Sequence, residues 1–312
     1  MIKFYKTSEQ ALVHLDAPVT GSWIHVVDPT PEEIAYLTEE VEIYPDLINY
    51  SLDLDEMARI ERDDDEGYTV ILLRVPHFQG ENMDVPYATI PLGIIIVDGV
   101  IVTICRHDTD ILKPLLNSKY RHLRTGKRYR FVLYVFLEAA SRYLAHLRDI
   151  NKTTEALEDQ LQKSTRNREV LGLLKYQKSL TYFATALRSN EVMMERVQRM
   201  KLFNQYDEDA DLLEDVITEN QQAIQMTGIA TEILSGMMDA FASIISNNLN
   251  GVMKALAALT IVLNLPTIVA SFYGMNVELP FAHSPFAFPI VIGMSLTLTA
   301  VAVFFFVKRD WF

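Results

Sequence analysis

The sequence predicts a membrane protein with an N-terminal α/β domain, a long helical stalk and two C-terminal transmembrane helices. Three observations carry this expectation. Charge is unevenly divided: residues 251–312 hold only Lys254, Glu278, Lys308, Arg309 and Asp310, a net of +1, which leaves −14 for residues 1–250 out of the chain's −13. Eight of the 12 prolines fall from Pro18 to Pro114 and four from Pro266 to Pro289, so the long interval between Pro114 and Pro266 has no helix breaker. Finally, no charged residue lies between Lys254 and Glu278, or between Glu278 and Lys308 with His283 neutral. Each run exceeds the roughly 20 residues that cross a hydrocarbon core.

The acidic body argues against nucleic acid as a partner, because phosphates call for clustered Lys and Arg. Cys105 is the only cysteine, which excludes a disulfide framework and a cysteine zinc cluster and fits a reducing compartment. The start, "MIKFYKTSEQ", has no apolar core of a cleaved signal peptide.

Residues 1–115 read as the α/β domain. "SWIHVVDPT" has strand composition, and "TPEEIAYLTEE" opens a helix with a capping box of Thr30, Pro31 and Glu33. "YTVILLRV" and "LGIIIVDGVIVTIC" are rich in β-branched residues, and Asp98-Gly99 supplies a two-residue hairpin turn in the second. Residues 116–206 read as helices; Arg128, Arg130, Glu138, Arg142 and Arg148 interrupt the most apolar piece too often for a bilayer. "NQYDEDADLL" reads as a helix–helix turn with acids at the next helix start, where the dipole favours them.

A single helix is expected over residues 207–273. Leu212, Val216, Ala223, Met226, Ala230, Ile233, Met237, Ala240 and Ile244 recur in steps of three, four or seven, as on a helix packed along its length. It would extend roughly 100 Å at 1.5 Å per residue, as a stalk leading to a membrane. Its membrane part covers about residues 252–273; an outer loop follows at 274–288, a second span at 289–307 and a basic tail at 308–312. The loop lacks Lys and Arg, whereas Lys254, Lys308 and Arg309 sit at the other ends. The positive-inside tendency therefore places both termini in the cytoplasm of a cell-membrane protein.

The two spans differ in polarity. The second, "FPIVIGMSLTLTAVAVFFFV", holds Ser295, Thr297 and Thr299 and suits lipid. The first carries Asn250, Met253, Ala257, Thr260, Asn264, Thr267 and Ser271 in alternating steps of 3 and 4. At 3.6 residues per turn these fall within an arc of about 100°. Lipid cannot satisfy amides and hydroxyls, so the stripe meets protein or water. Polar glue between helices and a pore wall both fit the stripe taken alone; two helices cannot enclose a conduit, so a pore requires several copies. Asn276 lies roughly 39 Å along the helix from Asn250. A ring of its amide oxygens suits a cation that keeps its water shell, as Mg²⁺ does. Gly274 permits close approach or an unusual turn at the helix end.

Tyr273-Gly274-Met275-Asn276, the short loop, the second span and the end "KRDW" resemble the CorA family of divalent-cation transporters. "SNNLNGVMKALAALTIVLNLPTIVASFYGMN" follows the family's first-span pattern, and "LDLDEMARIERDDDEGYTVILLRVP" is similar to its cytoplasmic signature, so the resemblance covers nearly the whole chain. It implies a homopentameric funnel whose first span lines the pore. It further implies Gly274, Met275 and Asn276 as the outer selectivity motif, Asn276 holding hydrated Mg²⁺. Thr267 and Asn250 match polar rings, and Met253 and Leu256 match apolar gate positions. Asp215 matches a regulatory Mg²⁺ position, with Asp53, Asp55 and Glu56 as candidate partners from a neighbouring subunit; a solvated acidic face is the alternative reading of that run.

Two features depart from the family pattern: Asn264 stands where an apolar residue is usual, and the outer loop has few acids besides Glu278. His283 reads as an interfacial residue rather than a ligand. The expected activity is passive Mg²⁺ influx, with Co²⁺ and Ni²⁺ as further ions and no organic cofactor. A Zn²⁺ transporter of the same fold and a non-conducting membrane-anchored sensor are the alternatives. An enzyme is disfavoured because G-x-x-x-x-G-K, H-E-x-x-H and G-x-S-x-G motifs are missing.

Overall fold

The computed structural model describes residues 1–8, 11–117, 119–120, 123–163, 167–203, 206–277, 279–280, 285–309 and 311. The chain divides into two compact units, Met1–Met237 and Met238–Phe312.

The first unit is built on a seven-stranded sheet. Its strands are β1 (Ile2–Thr7), β2 (Leu12–Leu15), β3 (Trp23–Val27), β4 (Arg59–Asp63), β5 (Tyr68–Phe78), β6 (Tyr87–Val97) and β7 (Val100–Cys105). They lie in the order β2-β1-β3-β7-β6-β5-β4, with β3 and β7 parallel and every other pair antiparallel. The β6–β7 hairpin closes through Asp98 and Gly99 at φ 43° and 80°. Positive φ at both positions matches the right-handed twist of the flanking strands, and Asp-Gly adopts it readily. The strands β1, β2 and β4 and the helix α2 (Pro45–Leu52) add to the elements read from sequence.

Both faces of the central strands are covered, which explains their near-continuous apolar runs. One face packs with α1 (Pro31–Glu39) and α2 through Ile24, Leu37, Ile48, Leu72, Ile95 and Val102. The other packs with α4 (Arg128–Lys163), α5 (Asn167–Arg199) and the start of α6 (Asp207–Tyr273), through Trp23, Leu73, Ile94, Phe136, Met193 and Val216. A short α3 (Lys113–Leu116) precedes α4. The α1 capping box is formed: Thr30 Oγ1 accepts from the Glu33 amide at 3.3 Å, and Glu33 Oε2 accepts from the Thr30 amide at 2.9 Å. At the root of α6, buried Arg130 donates to Glu208 at 2.7 Å and also to Asp209, in the first helical turn. That contact orders the helix start that the acids and the dipole favour.

The second unit holds the remainder of α6 and the helix α7 (Ala287–Lys308). Both helices are long and apolar enough to cross a membrane, and only 11% and 6% of their apolar windows are buried within the chain. Core helices of a soluble domain would be mostly buried, so these are built for an apolar surrounding. Pro266 lies inside α6 without ending it.

Candidate pore-lining helix and metal sites

The membrane part of α6 has one covered face. Ala258 and Val269 are buried, and Ala255, Val262, Leu265 and Tyr273 are half-buried. On α7 the covered positions are Ala287, Val291, Ser295, Thr299, Ala302 and Phe306. Small side chains make up four of the six covered positions on α7, and Ala255 and Ala258 add two on α6, as expected where two membrane helices approach closely. Ser295 and Thr299 thus occupy the covered side of α7, and Thr299 Oγ1 donates to the Ser295 carbonyl at 2.9 Å.

The polar stripe lies on the other side of α6. Asn250, Met253, Ala257, Thr260, Asn264, Thr267 and Ser271 are all exposed, and so is Leu256. Their mean direction is roughly 160° around the helix from the covered face, at 3.6 residues per turn. Thr260 Oγ1 donates to the Leu256 carbonyl at 2.8 Å, which leaves its lone pairs outward. The stripe is therefore not covered by α7 among the described residues. In a membrane, amides on this uncovered side call for a second copy or water, because lipid cannot satisfy them.

At the helix end, the Gly274 amide donates to Ala270 O at 2.9 Å and to Ser271 O at 3.2 Å, and Met275 N donates to Phe272 O at 3.2 Å. Gly274 is not at positive φ, and an added Cβ would come no nearer than 3.4 Å to Ala270 O. Of the two readings of Gly274, close approach or an unusual turn, the backbone shows a tightening helix terminus rather than a left-handed turn, so no backbone strain within the described residues demands this glycine. Tyr273 Oη donates to Pro280 O at 3.2 Å and ties the helix end to the following loop. Met275 and Asn276 are exposed. Glu278 and His283 lie outside the described residues.

The regulatory candidates lie in the first unit. Asp215 is exposed on α6, beside buried Val216, and makes no ion pair among the described residues. Asp53 follows the last turn of α2; its Oδ1 accepts from the Asp55 amide at 3.0 Å, and both acids are exposed. Glu56 differs: its carboxylate is paired with Arg59, so it is the least available of the three. No group of three His, Cys, Asp or Glu side chains converges on a metal site among the described residues of one chain. Asp215 with Asp53 or Asp55 is at most a pair of half-sites, and an exposed, unpaired carboxylate fits that role.

Sequence reading missed Arg74. This β5 side chain is 8% exposed; its guanidinium donates to the carbonyls of Leu54 (2.5 Å), Glu56 (3.0 Å) and Thr89 (2.7 Å) and to Thr89 Oγ1 (2.8 Å). It therefore holds the backbone of the loop that presents Asp53 and Asp55. Asn190 on α5 locks Arg74 in turn, accepting from its amide at 2.9 Å and donating to its carbonyl at 2.8 Å. The available signal was one arginine inside "YTVILLRV", a strand otherwise free of charge.

Comparison with known proteins agrees with this architecture. The "Cobalt/magnesium transport protein CorA" of Methanocaldococcus jannaschii is 29% identical over 297 residues, covering 93% of this chain and 90% of that protein. The protein of the same name from Thermotoga maritima is 20% identical over 315 residues, with 99% and 88% covered. The complete structure of the CorA magnesium transporter from M. jannaschii superposes with a TM-score of 0.86 at 25% identity, covering 100% of this chain and 99% of that one. The family pattern described as CorA-like Mg2+ transporter protein matches residues 20–309, and the chain belongs to that family.

Proposed function

We propose that this protein is a homopentameric, channel-like transporter that admits Mg²⁺ passively across the cell membrane, with Co²⁺ and Ni²⁺ as further substrates. The observation that carries this reading is the row of amides and hydroxyls on α6, exposed on the side opposite the covered face. Copies arranged about an axis would turn this row inward and leave α7 towards lipid. The names of the relatives, which specify cobalt and magnesium transport, support the choice of Mg²⁺ and Co²⁺.

In this arrangement residues 1–115 form the cytoplasmic α/β domain, 116–206 the cytoplasmic helices and 207–273 the stalk and pore helix. Residues 274–288 form the outer loop, 289–307 the second span and 308–312 the cytoplasmic tail. Gly274, Met275 and Asn276 form the outer mouth. Neutral amide oxygens of Asn276 accept hydrogen bonds from water polarised by Mg²⁺, which loses its shell reluctantly. A ring of carboxylates there would hold the ion too firmly for release. Thr267, Asn264, Thr260 and Asn250 continue the hydrated path, with Ser271 and Ala257 in the same row. Met253 and Leu256 close it by dewetting when the stalks narrow.

Asp215 facing Asp53 or Asp55 of a neighbouring subunit would bind cytoplasmic Mg²⁺, relieving the repulsion between facing carboxylates and holding the stalks in the closed arrangement. Falling Mg²⁺ would release that hold. The test is flux of Mg²⁺, Co²⁺, Ni²⁺ and Zn²⁺, each alone, into liposomes carrying wild type or Asn276→Ala. Mg²⁺ entry lost in an assembled Asn276→Ala oligomer supports the reading. Zn²⁺ entry without Mg²⁺ would replace the substrate, and no flux of any ion would refute conduction.

A further inference from the structure

We propose that the cleft between α5 and α6 holds a hydrated divalent cation within each protomer. The cleft has a volume of about 140 Å³. Glu191, Met194, Glu195 and Gln198 line it from α5, and Ile217, Asn220 and Gln221 from α6. On α5 these fall at i, i+3, i+4 and i+7 and on α6 at i, i+3 and i+4, so one face of each helix forms one wall.

Asn220 is only 1% exposed, yet its Oδ1 accepts no hydrogen bond among the described residues. Its Nδ2 donates to the Leu187 carbonyl at 3.3 Å, which fixes the orientation of the amide. A buried carbonyl oxygen left without a partner is costly, and native interiors rarely tolerate it. Either a water or an ion therefore meets it. Two carboxylates on the same cleft decide for an ion: Glu191 has no ion pair among the described residues, and Glu195 has only a 3.6 Å contact with largely exposed Arg199.

The donor set specifies the class of ion. Carboxylate and amide oxygens without histidine or cysteine select a hard cation, and two carboxylates balance a charge of +2. At about 30 Å³ per water the cleft admits an ion that keeps several waters, and such an ion needs only one or two direct carboxylate contacts. This site is separate from that of Asp215, which lies five residues earlier on α6 and about 140° around the helix. It joins α5 to the stalk inside one protomer rather than joining two protomers.

The test counts Mn²⁺ bound to the full-length oligomer by electron paramagnetic resonance, in wild type, Glu191→Gln/Glu195→Gln and Asp215→Asn. Wild type should bind one more Mn²⁺ per protomer than the double variant, Asp215→Asn should retain that ion, and excess Mg²⁺ should displace it. Equal stoichiometry in wild type and the double variant would mean that water alone fills the cleft, and the proposal would fall. Should the double variant melt lower in chelator, Asn220→Asp provides an independent reading. Its added carboxylate should tighten one Mn²⁺ by about tenfold, as ligand charge tunes affinity; unchanged affinity would equally overturn the assignment. Binding is read whether or not the protein conducts.

Discussion

Replacing Gly93 by alanine tests how the sheet positions the loop that carries Asp53 and Asp55. Gly93 sits inside β6, paired with Leu72 and Ile104, and α2 crosses directly over it. A Cβ there would meet Ser51 Oγ at 1.8 Å, Ser51 Cβ at 2.4 Å and Ser51 Cα at 3.3 Å. The first contact could be relieved by turning the hydroxyl away from Leu47 O, which it bonds at 2.8 Å. The second cannot be relieved without moving α2, whose C-terminal residue leads into Asp53.

Overpacking of this kind costs about 1–3 kcal/mol, and a clash with a Cβ on the helix belongs at the upper end. At roughly 2–4 °C per kcal/mol for a domain of this size, a cost of about 2–3 kcal/mol lowers the melting midpoint by about 4–12 °C. Thermal unfolding of the detergent-solubilised protein measures it. Ser51→Ala removes only the hydroxyl and should not restore Gly93→Ala, whereas Ser51→Gly removes both close atoms and should recover at least about 1 kcal/mol relative to additivity. A loss below about 0.5 kcal/mol in Gly93→Ala, within the range of surface substitutions, would refute this reasoning. Equal rescue by Ser51→Ala and Ser51→Gly would do the same.

Other perturbations address electrostatics and the pore. His25 and His146 have pKa values lowered to about 4, chiefly by burial, so each is neutral when folded and protonates more readily when unfolded. Their contribution is complete above the unfolded value near 6.5 and is lost as pH falls towards 4, by at most about 3 kcal/mol each. Urea unfolding at pH 7 and pH 4.5 should show this loss, with a smaller loss in His25→Gln and His146→Gln. Arg130→Met leaves buried Asp209 without its guanidinium and should destabilise the protein by about 3 kcal/mol, somewhat offset by the α6 dipole; denaturant midpoints read the change. Asn264→Leu keeps the branching and heavy-atom count of the side chain and removes the mid-row amide, so Mg²⁺ flux in proteoliposomes should fall several-fold while the oligomer persists; unchanged flux would remove Asn264 from the conducting path.

The features legible in the sequence are those whose physical cause lies within a few adjacent residues. Asp98-Gly99 closes a hairpin because both residues accept positive φ, and Thr30 with Glu33 caps α1 through bonds spanning three positions. By contrast, α2 has Tyr44 at its N-cap with no side-chain bond, and its eight residues show no long period. The strands β1 and β2, at one end of the sheet, lack a clean alternation of buried and exposed positions. Arg74 was unreadable for another reason: its acceptors at Leu54, Glu56 and Thr89 are brought to it only by the folded sheet.

The stripe on α6 combines both situations. Its spacing is plain in sequence, but whether α7 covers it depends on how two helices meet. The covered positions Ala255, Ala258, Val262, Leu265 and Val269 place that contact on the opposite side. A single chain therefore leaves Thr260, Asn264 and Thr267 facing outward, where hydrocarbon could satisfy none of them. In the proposed assembly, the copies that remove these groups from lipid also surround the water that satisfies them. The cost of exposing polar groups to lipid thus favours the same arrangement that creates a path for a hydrated ion.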